Sequence, residues 1–452
     1  MQFDNHKSLA IISNDIVDVR MAGPGVRYLE MARVLCTDLD VTLAVPGEPE
    51  QQVPGIQLTG YDERRPSSLQ DLVEKSDTAL FTPYILRKFP FLEQTRARKV
   101  IDLYDPFIFE NLHYYLEEPL ELQQVLNQQA VELINLAART GDFFICGSQR
   151  QRDLWMGVLL ANGRVNPRSF DQDPTLRALI DVVGIGLPDR EPNNKVVLKG
   201  IHPAFPPVCK IVLWGGGLWN WMDPISLVRA WPAVLSRHPQ ARLVFLGARH
   251  PNPLVPRHKI AEQTRQLAEE IGEKDRSIFL FDWLPYEERE SLLCEADVGV
   301  SLHPAHIETH YSIRTRVLDY FWARLPSLVS SGDVASEWVD QYRLGYVVPP
   351  KDVPAVTQAL LALLDARKQD WAPRFDQIRE SFAWSRVVEP LRRYCLADPL
   401  VLDQKAERLR KGTSQEGLGW KAAAARARFI WRNEGFRALV RRAWRYFQWK
   451  IS

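Results

Sequence analysis

A group of polar side chains opens the segment YSIRTRVLDYFWARLP, residues 311–326. Apolar side chains recur along this segment at the spacing of one helical face, which predicts an amphipathic helix. The first N–H groups of a helix have no partner within it and carry partial positive charge. Arg314, with Tyr311, Ser312 and Thr315 beside it, would add a guanidinium to that end. We therefore expect an anion to bind there, with the carboxylate of Asp319 further along the same helix.

A glycine-rich stretch, WGGGLWNWMDP, follows a predicted strand and precedes a predicted helix. Gly215, Gly216 and Gly217 would let the backbone approach a phosphate closely, because no side chain intervenes. The dinucleotide pattern GxGxxG needs glycine where Asn220 stands, and no GK[ST] follows to make a P-loop. A tight turn remains the alternative, but Trp219 within the stretch favours a ligand.

Two sets of residues in the first half also suit polar ligands. Gly23 and Gly25 lie between a predicted strand and a predicted helix, where a helix N-terminus binds anions or hydroxyls. The DLYDP stretch places Asp102, Tyr104 and Asp105 at the end of another strand. Carboxylates there suit sugar hydroxyls or proton transfer. Helix capping by Asp105 is the competing interpretation.

A metal site is not expected. HPAHIETH holds the ligand types His303, His306, Glu308 and His310, but their spacing matches no zinc pattern. These side chains would line the rim of a cleft instead. The five cysteines are scattered and form no CxxC, which indicates reduced thiols rather than disulfides or zinc.

Short apolar runs alternate with helical patterns throughout, which predicts α/β architecture with parallel sheets covered by helices on both faces. Predicted strands in the first half are 8–13, 40–45, 79–84, 99–104 and 143–148. Those in the second half are 210–216, 241–247, 277–284, 296–303, 326–331 and 345–350. We expect two doubly wound Rossmann-like domains facing a cleft, with ligands beyond the carboxyl ends of the strands.

The expected domains are 1–200, 201–385 with the donor-binding site, a crossover helix over 386–400 and a basic tail over 401–452. A proline-rich stretch, 187–207, is the expected linker. From residue 401 onward thirteen Lys or Arg accompany four Asp or Glu, although the whole chain carries only +1. The body is therefore acidic, and a single basic tail beside an acidic body argues against nucleic acid.

The second half resembles the donor domain of family-4 retaining glycosyltransferases of the GT-B fold, in the form found in cell-surface polysaccharide synthesis. The resemblance spans about 210 to 365 and is strongest at ADVGVSLHP, RTRVLDYFWARLPSLVSSGD and GYVVPPKD. The first half shares the looser pattern GPGVR…LEMARVLCTDLDVTLAVP. Family members carry two glutamates with seven residues between them. Asp319 takes the second place, and Tyr311 takes the first, with Glu308 the nearest acid.

The resemblance implies sugar transfer from a nucleoside-diphosphate sugar to a glycan or lipid-linked acceptor, with retention, without metal or cofactor, by a hexosyl- or deoxyhexosyltransferase. The implied catalytic residues are Glu308, Asp319 and Asp102. The implied donor site comprises Gly215, Gly216, Gly217, Trp219, Arg249, Trp283, Tyr311, Ser312, Arg314, Thr315 and Asp319. The implied acceptor side comprises Gly23, Gly25, Arg27, Tyr104 and Asp105. Arg314 would bind the diphosphate, whereas Arg316 would pair with Asp319 three residues later.

Two other functions stay open: a catalytically silent subunit that binds a nucleotide sugar, and another GT-B enzyme such as an epimerase. The chain has no apolar run that could span a bilayer and no apparent signal peptide, so a cytoplasmic protein is expected. Within 421–450, aromatic residues share one helical stripe with arginines beside it. This pattern predicts attachment to an anionic membrane surface, at the inner face of the membrane. Packing of the tail on the first domain is the alternative.

Overall fold

The computed structural model describes residues 7–18, 21–49, 52–247, 258–282, 284 and 286–397, and four helical residues of the tail, 436, 437, 440 and 444. Side chains are described from 288 onward in the helix that begins at 286. Residues 1–403 form one compact unit and residues 404–452 a second. The predicted tail therefore lies almost wholly outside the described residues. None of the described helices is long and apolar enough to cross a bilayer.

The first domain is built on a seven-stranded parallel sheet in the order β3-β2-β1-β4-β5-β6-β7. Its elements are β1 (Ser8–Ile12), α1 (Gly23–Leu35), β2 (Asp40–Pro46), β3 (Gln57–Tyr61), α2 (Ser67–Glu74), β4 (Thr78–Phe81), α3 (Pro83–Lys88), β5 (Arg98–Asp102), α4 (Phe107–Tyr114), α5 (Leu120–Thr140), β6 (Phe143–Cys146), α6 (Gln149–Ala161), α7 (Pro167–Gln172) and β7 (Ile180–Val182).

Alternation along the central strand divides this domain into two apolar layers. Ala10 and Ile12 of β1 pack in the cluster that contains the inner faces of α5 and α6. Leu9 and Ile11 pack on the other face, against α1. Because successive side chains of a strand point to opposite faces, one run of apolar residues fills both layers. The order of the strands reverses between β1 and β4, where ligands of such sheets bind.

The second domain has six parallel strands in the order β10-β9-β8-β11-β12-β13. Its elements are β8 (Lys210–Trp214), α8 (Pro224–Arg237), β9 (Ala241–Phe245), α9 (Lys259–Glu270), β10 (Ile278–Leu280), α10 (Tyr286–Glu295), β11 (Val298–Ser301), α11 (Ile307–Tyr311), α12 (Thr315–Trp322), β12 (Ser327–Ser330), α13 (Val334–Gln341), β13 (Gly345–Val348), α14 (Val353–Asp365) and α15 (Ala372–Phe382). Asp223 caps α8, as predicted, by accepting from Ser226 N at 3.0 Å.

The chain then returns to the first domain through α16 (Trp384–Val387) and α17 (Glu389–Leu396). Trp384 and Tyr394 join the apolar layer of α1, and the Tyr394 ring stacks on Phe143 with centroids 4.5 Å apart. The Arg98 guanidinium donates to the carbonyl of Tyr394 at 2.9 Å, which satisfies an unpaired carbonyl near the helix end. Residues from the two ends of the described chain thus share one core.

The two sheets confirm the predicted class, two doubly wound parallel α/β domains. The switch point of the first sheet lies after β1, and that of the second lies between β8 and β11. The loops that leave these strands carry the candidate site residues.

Candidate active site

The segment predicted as one helix from residue 311 is divided between two helices. The short α11 ends at Tyr311, the backbone of Ser312 is extended with ψ 155°, and α12 begins only at Thr315. The expectation that residues 311–314 form the first turn is therefore wrong. The N–H groups at the start of α12 are those from Thr315 onward. Arg314 precedes the helix with ψ 89°, a value outside the helical region.

The Arg314 side chain is occupied by an acid of its own domain. Its Nη1 and Nη2 donate to Oε1 and Oε2 of Glu308, each at 2.7 Å, and Ser312 Oγ donates to Oε1 at 2.5 Å. Burial acts to raise the pKa of Glu308, but the Arg314 charge and these hydrogen bonds hold it below its ordinary value. Because both groups are almost fully buried, this pair corrects the prediction that Arg314 binds the diphosphate and leaves Glu308 little access to substrate.

Arg316, rather than the predicted Arg314, lies beside the glycine loop. Its Nη2 donates to the carbonyl of Gly217 at 2.6 Å, and its guanidinium lies 4.8 Å from the centroid of the Trp214 ring. The Nη1 atom is buried and has no hydrogen-bond partner among the described residues. Burial lowers the pKa of this arginine to about 10. The sequence missed this role, because i,i+3 spacing favoured a pair with Asp319.

Asp319 is paired with a different arginine. Arg289 of α10 donates to Oδ1 of Asp319 at 3.2 Å, and the Asp319 side chain keeps 20% of its surface exposed. Burial raises the pKa of this carboxyl above its ordinary value, against the charges of Arg289 and Arg316. The predicted Arg316–Asp319 pair is thus corrected, and no feature of the sequence around Arg289 indicated its contact.

The glycine loop after β8 is shaped by two aromatic side chains. The N–H of Gly215 donates to the Tyr320 hydroxyl at 2.8 Å, and a Cβ added at Gly215 would lie 2.9 Å from that ring. A Cβ added at Gly217 would lie 2.9 Å from Trp219. A Cβ added at the half-buried Gly216 would lie nearest to the Arg316 guanidinium, at 3.6 Å. Side chains are excluded from this loop, and a cation faces it.

Two tryptophans form a block beside this loop. The rings of Trp219 and Trp221 stack with centroids 5.6 Å apart and an interplanar angle of 6°. The ring of His258 meets both edge-on, at 4.8 Å and 5.6 Å. Trp219 thus lies at the loop, as predicted. Arg249 and Trp283, the other predicted donor-site residues, lie outside the described residues.

The N-termini of α1 and α12 meet across the two domains. A Cβ added at Gly23 would lie 3.7 Å from Thr315 Oγ1. A Cβ added at Gly25 would lie 2.4 Å from the carbonyl oxygen of Ile16, so glycine is required for the loop to pass there. Because both helix starts carry partial positive charge, their meeting favours an anion at this point of the cleft.

Asp102 and Arg27 form a buried ion pair inside the first domain. The Arg27 Nε donates to Oδ2 of Asp102 at 2.8 Å and its Nη2 to Oδ1 at 3.1 Å. Two more of its N–H groups donate to the carbonyls of Val183 and Gly184. Both side chains are about 1% exposed. This corrects the prediction of Asp102 as a catalytic group and of Arg27 as an acceptor ligand, because neither reaches the cleft. Tyr104 lies beside them, with Arg27 over its ring at 4.7 Å.

Acidic side chains from both domains face one another in the cleft. Burial, and then the charges of Glu308 and Asp102, raise the pKa of Asp105 to about 7. Burial, and then Asp105 and Glu308, raise the pKa of Glu110 well above its ordinary value. Asp105 does not cap α4, since the N-cap residue is Pro106 and no side-chain hydrogen bond caps that helix. Glu110 was not predicted, because its place one turn into α4 carries no motif.

The first domain contacts α11 of the second directly. The ring of Phe109 stacks on Tyr311 with centroids 5.3 Å apart, and His113 meets His306 at 4.1 Å. Burial, with His113 nearby, lowers the pKa of His306 to about 4. The structure therefore places Tyr311, a predicted donor ligand, at the contact between domains.

The histidines that the sequence offered as metal ligands diverge. His303 Nε2 lies 3.5 Å from Asp333 Oδ2, whereas His306 Nε2 lies 3.3 Å from the carbonyl of Trp221. His310 is exposed at the surface. Among the described residues, no group of three or more His, Cys, Asp or Glu is arranged to hold a metal ion.

Residues 209–366 match the family described as Glycosyl transferases group 1. The matched region runs from β8 to α14 of the second domain. It contains the glycine loop, Arg316, Asp319 and Glu308. No curated protein sequence matches the chain.

Solved structures of glycosyltransferases resemble the whole fold. Sucrose-phosphate synthase from Thermosynechococcus elongatus gives a TM-score of 0.58 at 13% identity, over 90% of this chain and 100% of that one. HepE of Anabaena, solved in complex with UDP and glucose, gives 0.60 at 11% identity, over 85% and 98%. WaaG, a glycosyltransferase involved in lipopolysaccharide biosynthesis, gives 0.52 at 14% identity, over 90% and 100%. Two parallel-sheet domains with these neighbours confirm the GT-B fold.

Proposed function

We propose that this protein transfers a sugar from a nucleoside-diphosphate sugar to a hydroxyl of a glycan or lipid-linked acceptor. The group 1 domain over 209–366 and the fold shared with HepE, solved with UDP and glucose, support a nucleotide-sugar donor. The resemblance of the donor half to retaining enzymes supports retention of configuration. Hexoses and deoxyhexoses are the proposed sugars.

The observation that carries this proposal is the arginine at the glycine loop. The buried guanidinium of Arg316 bonds the Gly217 carbonyl and keeps Nη1 without a partner among the described residues. A buried cation that forms no ion pair among the described residues is costly, so a bound anion would offset its desolvation. The start of α12 lies beside this guanidinium, because Arg316 is the second residue of that helix. A diphosphate supplies the negative charge that the guanidinium and the helix start require, so we expect it to bind without a metal ion.

The remaining cleft residues suit the two sugars. Asp319 keeps part of its surface exposed and accepts from Arg289, so it is suited to bond ribose hydroxyls as well. Asp105, with a pKa near neutrality, can accept a bond from a sugar hydroxyl or exchange a proton with it. Glu308 then acts through Arg314, whose orientation it fixes, rather than as a catalytic residue.

A lipid-linked acceptor would make attachment at the inner face of the membrane useful. The basic, aromatic stretch within 421–450 is the part of the chain suited to that contact. Attachment is tested by sedimentation with anionic vesicles of the full chain and of a chain ending near Leu402. If both forms remain in solution, or both sediment equally, the tail does not bind the membrane.

The donor is tested by binding. We expect one of UDP-, GDP-, ADP- or dTDP-linked sugars to raise the melting temperature, since a ligand at about 100 times its Kd stabilises by about 2.7 kcal/mol. The shift should persist in EDTA and should shrink in Arg316→Met. If no nucleotide sugar shifts the melting temperature of the wild-type protein, a nucleotide-sugar donor is ruled out.

A further inference from the structure

One glutamine at the start of α6 bonds both domains at once. Gln151 is fully buried, and its Nε2 donates to the carbonyl of Tyr104 at 2.7 Å and to that of Tyr311 at 2.8 Å. Its Oε1 accepts from the N–H of Gly147 at 2.7 Å. The amide therefore uses both of its donors and its acceptor on backbone groups, two in its own domain and one in the other.

The two carbonyls belong to the segments that carry the acids of the cleft. Tyr104 immediately precedes Asp105, and Tyr311 ends the helix that contains Glu308. One side-chain amide group thus fixes the distance between these segments. Because the two N–H donors of an amide lie in one rigid plane, they leave little freedom in how the segments face each other.

The neighbouring arginine strengthens this junction. Arg150 Nη1 donates to the carbonyls of His310 and Gly332, at 3.1 Å and 2.9 Å, and its guanidinium pairs with Glu337. All of these partners belong to the second domain. Arg150 is partly solvent-exposed, so its ion pair contributes less than the buried amide. The start of α6 therefore forms an interdomain contact, with Gln151 as its buried centre.

We infer that Gln151 is a positioning residue that aligns the Asp105 segment with the Glu308–Arg314 segment when the domains meet. This inference rests on the proposed function, because it concerns how the two halves of that site align. Both amide N–H groups donate to backbone carbonyls, so neither is available to a substrate. Its loss would separate the acceptor side from the donor side while the glycine loop and Arg316, which lie within the second domain, still bind a nucleotide.

Three variants test the inference. Gln151→Met keeps the length but removes both donors, and Gln151→Glu keeps the shape but presents a carboxylate to two carbonyls. Gln149→Met is the matched control, because Gln149 is exposed and donates only to Asp153 on its own helix. We expect Gln151→Met to lower kcat by about 10- to 100-fold, the loss typical of a misplaced site. The Kd of Gln151→Met for UDP should stay within twofold of wild type. Both kcat and this Kd should stay within twofold of wild type in the control, Gln149→Met.

The pH profile separates positioning from general destabilisation. Burial raises the pKa of a carboxyl, and a protonated carboxyl donates one hydrogen bond that the carboxylate cannot. The activity of Gln151→Glu relative to wild type should therefore rise as pH falls from 8 to 5.5. A flat ratio, or loss of UDP affinity in parallel with kcat, would overturn the inference.

A measurement without turnover keeps this test independent of the proposed function. Small-angle X-ray scattering of the full chain should give a larger radius of gyration for Gln151→Met than for wild type and Gln149→Met. An unchanged radius of gyration would contradict the inferred role of this interdomain contact. If wild type turns over no donor but the radius of gyration is still larger in Gln151→Met, the proposed function fails while the interdomain role of Gln151 is supported.

Discussion

Replacing Arg316 by methionine separates the binding of diphosphate from that of nucleoside. The change removes the guanidinium beside the glycine loop and its bond to the Gly217 carbonyl, while the apolar stem is kept near Trp214. A nucleoside lacks the diphosphate that we propose binds at this guanidinium. We therefore expect the loss to fall on the diphosphate alone.

The magnitude follows from the contact. A hydrogen bond to a charged group contributes about 1.5–3 kcal/mol, and each 1.4 kcal/mol is a factor of ten in affinity. The Kd for the preferred nucleoside diphosphate should rise about 10- to 150-fold, and that for the nucleoside less than twofold. The fold should survive, because burial already lowers the pKa of Arg316, so the folded state gains little from this cation.

Titration calorimetry with UDP, GDP, ADP and dTDP and their nucleosides measures both constants. Arg316→Lys is the matched variant: it keeps the charge but loses the planar donors, so its affinity should lie between the other two. Equal losses for nucleoside and diphosphate would refute the reasoning, as would an unchanged diphosphate Kd in Arg316→Met.

Three further outcomes follow from the same contacts. Arg314→Met should lower the free energy of unfolding by about 3–5 kcal/mol, measured in urea at pH 7, because the Glu308 charge stays buried without its partner. The control Arg265→Met removes one arginine of a solvent-exposed ion pair and should cost far less. Equal costs for the two variants would contradict the reasoning. The pKa of Asp105 is raised in the folded protein, so its carboxyl binds a proton more tightly in the folded state than in the unfolded state, and the wild type loses stability as pH rises towards 7. Asp105→Asn should therefore stabilise the protein by about 1–2 kcal/mol more at pH 8 than at pH 5. A pH-independent effect in thermal unfolding would argue against the raised pKa. Enzyme activity should persist in EDTA. If EDTA abolishes activity and one divalent ion restores it, the enzyme requires a metal.

Much of the fold follows from local patterns in the sequence. Buried parallel strands such as LAII and KIVLW read as continuous apolar runs, and Asp223 before Pro224 is a recognisable helix start. Two strands escaped prediction. β3 is half-exposed and contains a glycine, and β7 is only three residues long, so neither shows a clear period.

The side-chain partners in the site could not be predicted in the same way. Spacing placed Arg314 and Arg316 on one helix, but the break at Ser312 turns Arg314 towards Glu308 and leaves Arg316 to face the glycine loop. A break of three residues changes which arginine faces the glycine loop. Local sequence carries no strong signal for it, because no proline or glycine marks the position.

Contacts between the domains are further from what a sequence can show. Ser148 and Gln151 have the S-x-x-Q spacing of a capping box, and Ser148 Oγ does accept from Gln151 N at 3.2 Å. The Gln151 side chain, however, turns to Gly147 N and to one carbonyl in each domain. The local pattern predicts the helix start, whereas the second role depends on residues far away in the chain.

The most direct test of the proposed sugar transfer is proton NMR of the full chain mixed with each nucleotide sugar, in EDTA, with and without acceptor glycans. We predict that wild type consumes one donor and that the sugar first released or transferred keeps the anomeric configuration of that donor. Arg316→Met at the same concentration should be slower. A product of inverted configuration would contradict retention, and a donor that binds but is never consumed would contradict transfer itself.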